Sequence, residues 1–308
     1  VGGLAPPAPP AAASAAAAPR PRLRFPGVDA ASFAHPKDVR SVERVRRLPG
    51  LEAAVRRASR IVDEVVAVDN LANAVRVGPR QLPGVHDLLL EACEVLDMDE
   101  VPELFVRQQP VPNAYTLAVR GGKPFIMLHT SLVDLLTPAE LQSVIAHELG
   151  HLKCEHGVYL TAGNLVLAAV DMLGRGALEF ATAPLSAALL DWQRAAEFTC
   201  DRAALLVAQD VSVVGSALLK LTGGSVKLAE ELDVQAFLEQ ADRYEEAARA
   251  PLGRLLTRSM EAGGLTHPVP VMRAKELLKW EQGAQYHGIL ARGVALREAA
   301  GAECGAAA

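Results

Sequence analysis

The chain has 308 residues, of which 50% are hydrophobic, 22% are charged and only 4% are aromatic. This length is sufficient for one large domain with a buried core, and the abundance of Ala, Leu and Val is typical of a helix-rich protein. The net charge of −5 argues against a nucleic-acid-binding protein. The four cysteines form no C-x-x-C pair, which disfavours a disulfide scaffold and a cysteine-rich zinc knuckle.

Residues 1–37 are expected to form a disordered tail. As far as residue 28 they are nearly all Ala, Pro, Gly and Arg, and they offer too little apolar surface to offset the entropy of ordering. No acidic residue precedes Asp29. This composition is also typical of an organelle transit peptide, with a plain low-complexity tail as the alternative interpretation.

Helical periodicity predicts N-terminal helices over residues 38–98, including one from Leu82 to Leu96. Further helices are predicted after Thr130. They also fill a C-terminal region at 211–300, which is followed by a short tail at 301–308.

Between the N-terminal and C-terminal helices, residues 102–210 are predicted to hold the strands and the catalytic core. Short strands are expected at 103–108, 114–119 and 124–128, and a Gly-containing turn at 120–123 joins the last two as a hairpin. The sequence therefore predicts a mainly α fold with a small antiparallel β-sheet (α+β).

The apolar stretch from Val158 to Leu190 is not expected to span a membrane. Asp171, Arg175 and Glu179 interrupt it, whereas a spanning helix needs about 20 predominantly apolar residues. We predict two buried or interfacial helices and no integral span. Peripheral contact with a membrane or a lipid body stays open.

The chemistry is carried by a helix that begins at Thr137, where Glu140 completes a capping box. Within it, His147 and His151 are four residues apart and project from one face, so that both imidazoles can chelate one metal ion. Glu148 can reach a water molecule on that metal. H-E-x-x-H is the pattern of zinc metallopeptidases, and a core helix whose histidines satisfy local hydrogen bonds is the alternative.

A catalytic zinc ion usually has three protein ligands. Glu197 and Asp201 are four residues apart on a later helix, so Glu197 is predicted as the third ligand and Asp201 as the hydrogen-bond partner of a ligand histidine. A solvated helix face paired with neighbouring arginines is the alternative. His156 and Cys154 are nearby candidates, and a His-His-Cys site with Cys154 stays open.

Three motifs together resemble the HtpX/Oma-type zinc metallopeptidases, metallopeptidase family forty-eight. They are H-E-L-G-H at 147–151, R-x-x-E-x-x-x-D at 194–201 and T-H-P-x-x-x-x-R at 266–273. The resemblance implies a zincin-like fold, one zinc ion on His147, His151 and Glu197, and Glu148 as the base. The chain lacks the spanning helices of integral-membrane members and is similar to the soluble or peripheral plastid members. This favours the chloroplast, with the mitochondrion as the alternative.

Two further segments are candidates for substrate contact. Asn113, Ala114 and Tyr115 resemble the family segment before the substrate-binding edge strand, where an extended peptide would bind through its main chain. An ordinary sheet edge is the alternative. His267 is a candidate donor to the oxyanion of the tetrahedral intermediate, or else a residue that caps the following helix.

The sequence thus predicts a zinc-dependent metalloendopeptidase that acts on proteins or peptides. Zinc lowers the pKa of its bound water to about 7, and Glu148 would accept that proton and pass it to the leaving amine. Two other classes stay open: a non-catalytic zinc-bearing binding or chaperone-like module, and a membrane-peripheral scaffold.

Overall fold

The computed structural model describes residues 22–46, 68–117, 123–157, 179–262 and 267–296. The helices are α1 (Ala30–Phe33), α2 (Pro36–Arg46), α3 (Pro83–Val95), α4 (Thr130–Leu135), α5 (Pro138–Lys153), α6 (Glu179–Ala208), α7 (Val211–Gly223), α8 (Val234–Arg249), α9 (Pro251–Ala262), α10 (Pro270–Glu281) and α11 (Ala284–Leu290). The strands are β1 (Leu23–Arg24), β2 (Val75–Arg76), β3 (Glu103–Arg107), β4 (Ala114–Leu117), β5 (Phe125–His129) and β6 (Val294–Ala295).

Four strands form one sheet in the order β2-β3-β5-β4. The predicted hairpin is present, because β4 pairs antiparallel with β5 and Ala114 lies opposite Leu128. Strand β5 lies parallel to β3, so the sheet is mixed rather than purely antiparallel. Strand β5 is one of the two inner strands, and four of its five residues are buried hydrophobic side chains. The predicted mainly α fold with a small sheet is confirmed.

The expectation of a disordered tail as far as residue 37 is wrong for residues 22–37. Strand β1 pairs with β6 from the other end of the chain, and Phe25 and Phe33 are buried in the core. The Arg22 side chain donates hydrogen bonds to Glu91 and Gln142. These residues are ordered because two phenylalanines and long-range partners supply the burial that composition alone did not show. Residues 1–21 lie outside the described part.

A short strand also interrupts the N-terminal region that is predicted to be helical over residues 38–98. Residues 68–73 are helical, but Val75 and Arg76 form β2 and pair antiparallel with β3. This pairing depends on a strand that is distant in sequence, so local periodicity could not show it. Parts of the predicted N-terminal helices, most of the 120–123 turn and most of the 158–190 stretch fall outside the described residues. In the part of the chain that is described, no helix has the length and apolar character needed to cross a membrane.

Helices α5 and α6 pack along each other, which brings the histidines of α5 close to the carboxylates of α6. The predicted capping box is present at the start of α5, where Thr137 and Glu140 exchange hydrogen bonds. Gly150 allows the close approach: a Cβ atom there would lie 3.0 Å from the Cβ of Ala203 and 3.1 Å from the Cα of Cys200. The absence of a side chain at this residue therefore sets the spacing of the two helices.

A Gly150→Ala substitution is expected to lower the free energy of unfolding by about 1–3 kcal/mol, because the added methyl group forces the backbones apart. Urea unfolding measures the change. Gly288→Ala is the matched control, since nothing lies within 4 Å of a Cβ at that helical residue. The control should be neutral or stabilise the fold by up to about 1 kcal/mol. Equal effects at the two glycines would contradict the packing argument.

A buried ion pair joins α5 to α7. Lys220 donates to Glu140 at 2.7 Å and Ser216 donates to the other oxygen at 2.6 Å. Burial opposes ionisation of Glu140, but the hydrogen bonds from Lys220, Ser216 and Thr137 outweigh it and lower its pKa below the ordinary 4.5. The stabilisation by this carboxylate is therefore present above pH 4.5 and is lost as pH falls through the lowered pKa.

Glu140→Gln is expected to cost about 3 kcal/mol at pH 7, because it leaves the Lys220 ammonium buried without a counter-charge. The difference from wild type should narrow as the pH falls below 4.5. Urea unfolding at pH 7 and at acidic pH measures both effects. A difference that stays constant with pH would contradict the assignment. Glu239→Gln, the same change at an exposed residue of α8, serves as the control.

Candidate active site

The two histidines of α5 face the carboxylate of Glu197 on α6. The Nε2 atom of His147 lies 3.4 Å from Glu197 Oε2, and the Nε2 atom of His151 lies 3.4 Å from Glu197 Oε1. Two ligand atoms of a tetrahedral zinc ion, each bonded at 2.0–2.1 Å, are about 3.3 Å apart. Each histidine nitrogen is therefore about as far from a Glu197 oxygen as two ligands of one zinc ion are from each other.

The carboxylate of Glu197 is buried. Burial opposes its ionisation, but the charge of Arg273 and the nearby histidine nitrogens hold its pKa well below the ordinary range. Its Oε2 atom accepts no hydrogen bond of acceptable geometry, although His267 Nδ1 lies 2.9 Å away. A buried carboxylate oxygen with nitrogen atoms around it and no proper hydrogen bond fits a metal ligand.

Asp201 lies one helical turn beyond Glu197 and contacts His147. Its Oδ1 atom is 3.1 Å from His147 Nδ1. Arg273 donates to both oxygens of Asp201, from Nη2 at 2.6 Å and from Nε at 2.9 Å. Arg273 therefore links α10 to the helix that carries Glu197, and its ion pair with Asp201 is not at the surface. Burial opposes protonation of His147, but the hydrogen bonds with Asp201 and Glu197 raise its pKa to about 9. The carboxylates of Asp201 and Glu197 therefore favour a positive charge next to His147.

Glu148 is buried beside the two histidines. Burial raises the pKa of this carboxyl, and His151 and His147 oppose the rise only in part. A carboxylate works best as a general base when its pKa lies near the operating pH. The surroundings therefore suit Glu148 to proton transfer.

A cleft of about 320 Å³ opens onto Glu148, His151 and Glu197. It is also lined by the predicted substrate segment (Asn113, Ala114 and Tyr115), by Thr116 and by His267. The side chain of His267 is 65% exposed, which places it at the mouth. The predicted site residues therefore line one cleft, with two exceptions. His147 lies beside the cleft, and Asp201 is buried behind it.

Cys200 also lies close to the histidines, and sequence reasoning missed it. One ligand atom each of His147, His151 and Cys200 lie within 4.8 Å of one another. Among the described residues Cys200, not Cys154, is the cysteine that joins these histidines. Burial raises the pKa of the Cys200 thiol well above its ordinary 9, whereas a metal binds the thiolate. The pKa of Glu197 is lowered instead, and Glu197 lines the cleft, so its carboxylate suits a bound cation better than the Cys200 thiol does.

The site has two histidines one helical turn apart, a facing carboxylate and a buried carboxylate next to the first histidine. This arrangement fits the H-E-x-x-H pattern of metallopeptidases. Comparison with known proteins agrees with this class. The model of Peptidase family M48 matches residues 79–281. The chain therefore belongs to peptidase family M48 and is a metallopeptidase.

Individual proteins that are similar to the chain are also named metallopeptidases or proteases. The chain is 48% identical over 274 residues to the "Plastoglobule-localized metallopeptidase 48, chloroplastic" of Arabidopsis thaliana, covering 88% of this chain and 78% of that protein. It is 27% identical over 170 residues to "Protease HtpX homolog 2" of Methanosarcina acetivorans, covering 48% of this chain and 58% of that protein. A "Protease HtpX homolog" of Methylibium petroleiphilum is 25% identical over 232 residues, covering 67% of this chain and 77% of its own length. No solved structure matches significantly.

Proposed function

We propose that the chain is a zinc-dependent metalloendopeptidase whose single zinc ion is held by His147, His151 and Glu197. The observation that carries this proposal is the placement of the two Glu197 oxygens, each 3.4 Å from one histidine Nε2 atom. Membership of a metallopeptidase family supports it. Histidine nitrogen and carboxylate oxygen are ligands that catalytic zinc takes.

Zinc, when bound, polarises the scissile carbonyl and lowers the pKa of a water molecule. In this proposal Glu148 accepts the proton of the attacking water and carries it to the leaving amine. Burial raises the pKa of Glu148, which makes this carboxylate a stronger proton acceptor than an exposed one. Asp201 accepts the Nδ1 proton of His147 and thereby leaves the Nε2 lone pair for the metal.

A peptide substrate is proposed to bind as an additional strand beside β4. The N–H of His129 donates to the carbonyl of Asn113, and antiparallel pairs alternate, so the main-chain groups of Ala114 and Thr116 point away from β5. Both residues line the cleft, and β4 is at the edge of the sheet as far as the structure describes it. Main-chain recognition of this kind is largely blind to side chains, which favours cleavage of many unfolded sequences.

His267 is proposed to stabilise the oxyanion. Its position at the mouth of the cleft, with Nδ1 against Glu197, leaves the other ring nitrogen available to donate to a substrate oxygen. The role of a helix cap is less well supported, since α10 begins at Pro270 with no side-chain cap and Val269 precedes it.

The proposed function is tested by digestion of casein, an unstructured protein, with wild-type protein before and after zinc removal. Cleavage should disappear after treatment with a chelator and return when zinc is added in stoichiometric amount. Cleavage that persists without metal would refute the zinc mechanism. A zinc-loaded protein that cleaves no substrate would support the non-catalytic binding module instead.

We further propose a plastid location at the surface of a lipid body. The name of the Arabidopsis relative supports this, as does the composition of residues 1–28. Helix α9 exposes Leu252, Leu255 and Leu256, with Arg254 on the same helix. An exposed apolar stripe with basic neighbours is typical of a helix that lies in a lipid interface.

Flotation with anionic liposomes tests the lipid contact. The triple variant Leu252→Ser/Leu255→Ser/Leu256→Ser should lose flotation and keep its cleavage of casein in solution, because these leucines do not line the cleft. Unchanged flotation of the variant would contradict a role for α9, and a wild-type protein that does not float would contradict the lipid contact itself.

A further inference from the structure

We propose that His156 and Asp38 form a relay that fixes the tautomer of His151, so that Asp38 is a positioning residue of the metal site. The proposal rests on the proposed zinc site. Both residues lie outside the H-E-x-x-H motif, and they are 118 positions apart in sequence.

The relay is a line of three buried or nearly buried side chains. His151 Nδ1 lies 3.1 Å from His156 Nδ1, and His156 Nε2 lies 3.0 Å from Asp38 Oδ2. His156 and Asp38 are 0% and 2% exposed. Water therefore does not replace either partner, and the positions of the protons in the line depend on the protein alone.

The direction of the hydrogen bonds starts from Asp38. Trp192 Nε1, which can only donate, lies 2.8 Å from Asp38 Oδ1. The Thr199 hydroxyl accepts the N–H of His35 at 2.9 Å. It lies 2.7 Å from Asp38 Oδ2 and 3.4 Å from the Ala195 carbonyl oxygen, so the shorter contact takes its proton to Asp38. Asp38 is therefore an acceptor, and His156 must donate to it from Nε2.

The tautomer of His151 follows from that of His156. A neutral His156 that carries its proton on Nε2 has a lone pair on Nδ1, which accepts the Nδ1 proton of His151. The Nε2 atom of His151 is then unprotonated and lies 3.4 Å from Glu197 Oε1, where a metal would bind. The Cys200 sulfur is 3.6 Å from the same His156 nitrogen, but a thiol is the weaker donor.

The two ligand histidines thus reach the same tautomer by different routes. His147 donates directly to Asp201, whereas His151 donates to Asp38 through His156. Asp38 is in helix α2, which packs against α6. The N-terminal part of the fold therefore completes the site.

Asp38→Asn tests the relay. The introduced amide can donate to His156 Nε2, which would reverse both hydrogen bonds and place the proton of His151 on the metal-facing Nε2. The zinc dissociation constant, measured by competition with a chromophoric chelator, should rise about 10–100-fold. Glu140→Gln is the matched control: a buried acid also becomes an amide there, outside the hydrogen bonds of the histidines, and zinc affinity should not change.

A measurement on the wild-type protein keeps the test independent of any folding defect. Nitrogen-15 NMR of histidine-labelled, zinc-loaded protein should show His156 protonated on Nε2 and His151 protonated on Nδ1. The opposite tautomers, or a zinc affinity of Asp38→Asn equal to wild type, would overturn the relay and leave the zinc site standing. A wild-type protein that binds no zinc would instead refute the proposed function.

Discussion

Glu148→Gln is expected to lower kcat for peptide cleavage by at least about 100-fold and up to about 10⁴-fold, because the amide has the shape of the carboxyl but cannot accept a proton. Zinc affinity should stay within about twofold of wild type, since Glu148 is not among the proposed ligands. The assay is casein cleavage by equal amounts of zinc-loaded wild type and variant.

Stability gives an independent readout for this variant. Burial raises the pKa of Glu148, so ionisation of the carboxyl in the folded protein costs free energy and the cost grows as pH rises above its unfolded pKa. Metal-free Glu148→Gln should therefore be at least as stable as wild type at pH 7. Glu239→Gln is the exposed control and should keep full activity. Full activity of Glu148→Gln would refute Glu148 as the base.

Glu197→Ala should abolish zinc binding and cleavage together. The loss of affinity should exceed the roughly 10–100-fold that removal of a hydrogen-bond partner of a ligand costs, because a ligand itself is removed. The histidines and Arg273 would also lose their counter-charge, since Arg273 Nη1 lies 3.3 Å from Glu197 Oε2.

Cys200→Ser is the matched comparison, because Cys200 is on the same helix and its sulfur also lies near the histidines. With Glu197 as the third ligand, the serine variant should keep zinc and activity. The reverse pattern, in which Cys200→Ser loses zinc and Glu197→Ala retains it, would assign the thiolate instead. Isothermal titration of both variants with zinc distinguishes these outcomes.

The parts of the site that could be predicted depend on spacing within one helix. His147 and His151 share a face because they are four residues apart, and the same spacing relates Glu197 to Asp201. That the two pairs meet depends on the approach of α5 to α6 at Gly150. Helical periodicity carries no information about such a contact between helices.

The parts that were missed depend on contacts across the chain. Asp38 reaches His156 from 118 residues away, and no local motif marks an aspartate for that role. Cys200 comes close to the site only because Gly150 has no side chain against it. Strand β2 and residues 22–37 are ordered through partners that are distant in sequence, β3 and β6 among them. In each case the tertiary contact outweighs the local composition.

The ligand set is tested most directly by X-ray absorption at the zinc edge of the zinc-loaded wild-type protein. The proposed site predicts nitrogen and oxygen neighbours at about 2.0–2.1 Å, with imidazole scattering from two histidines and no sulfur neighbour. A sulfur neighbour at about 2.3 Å would contradict the assignment of Glu197 and would identify Cys200 as the third ligand.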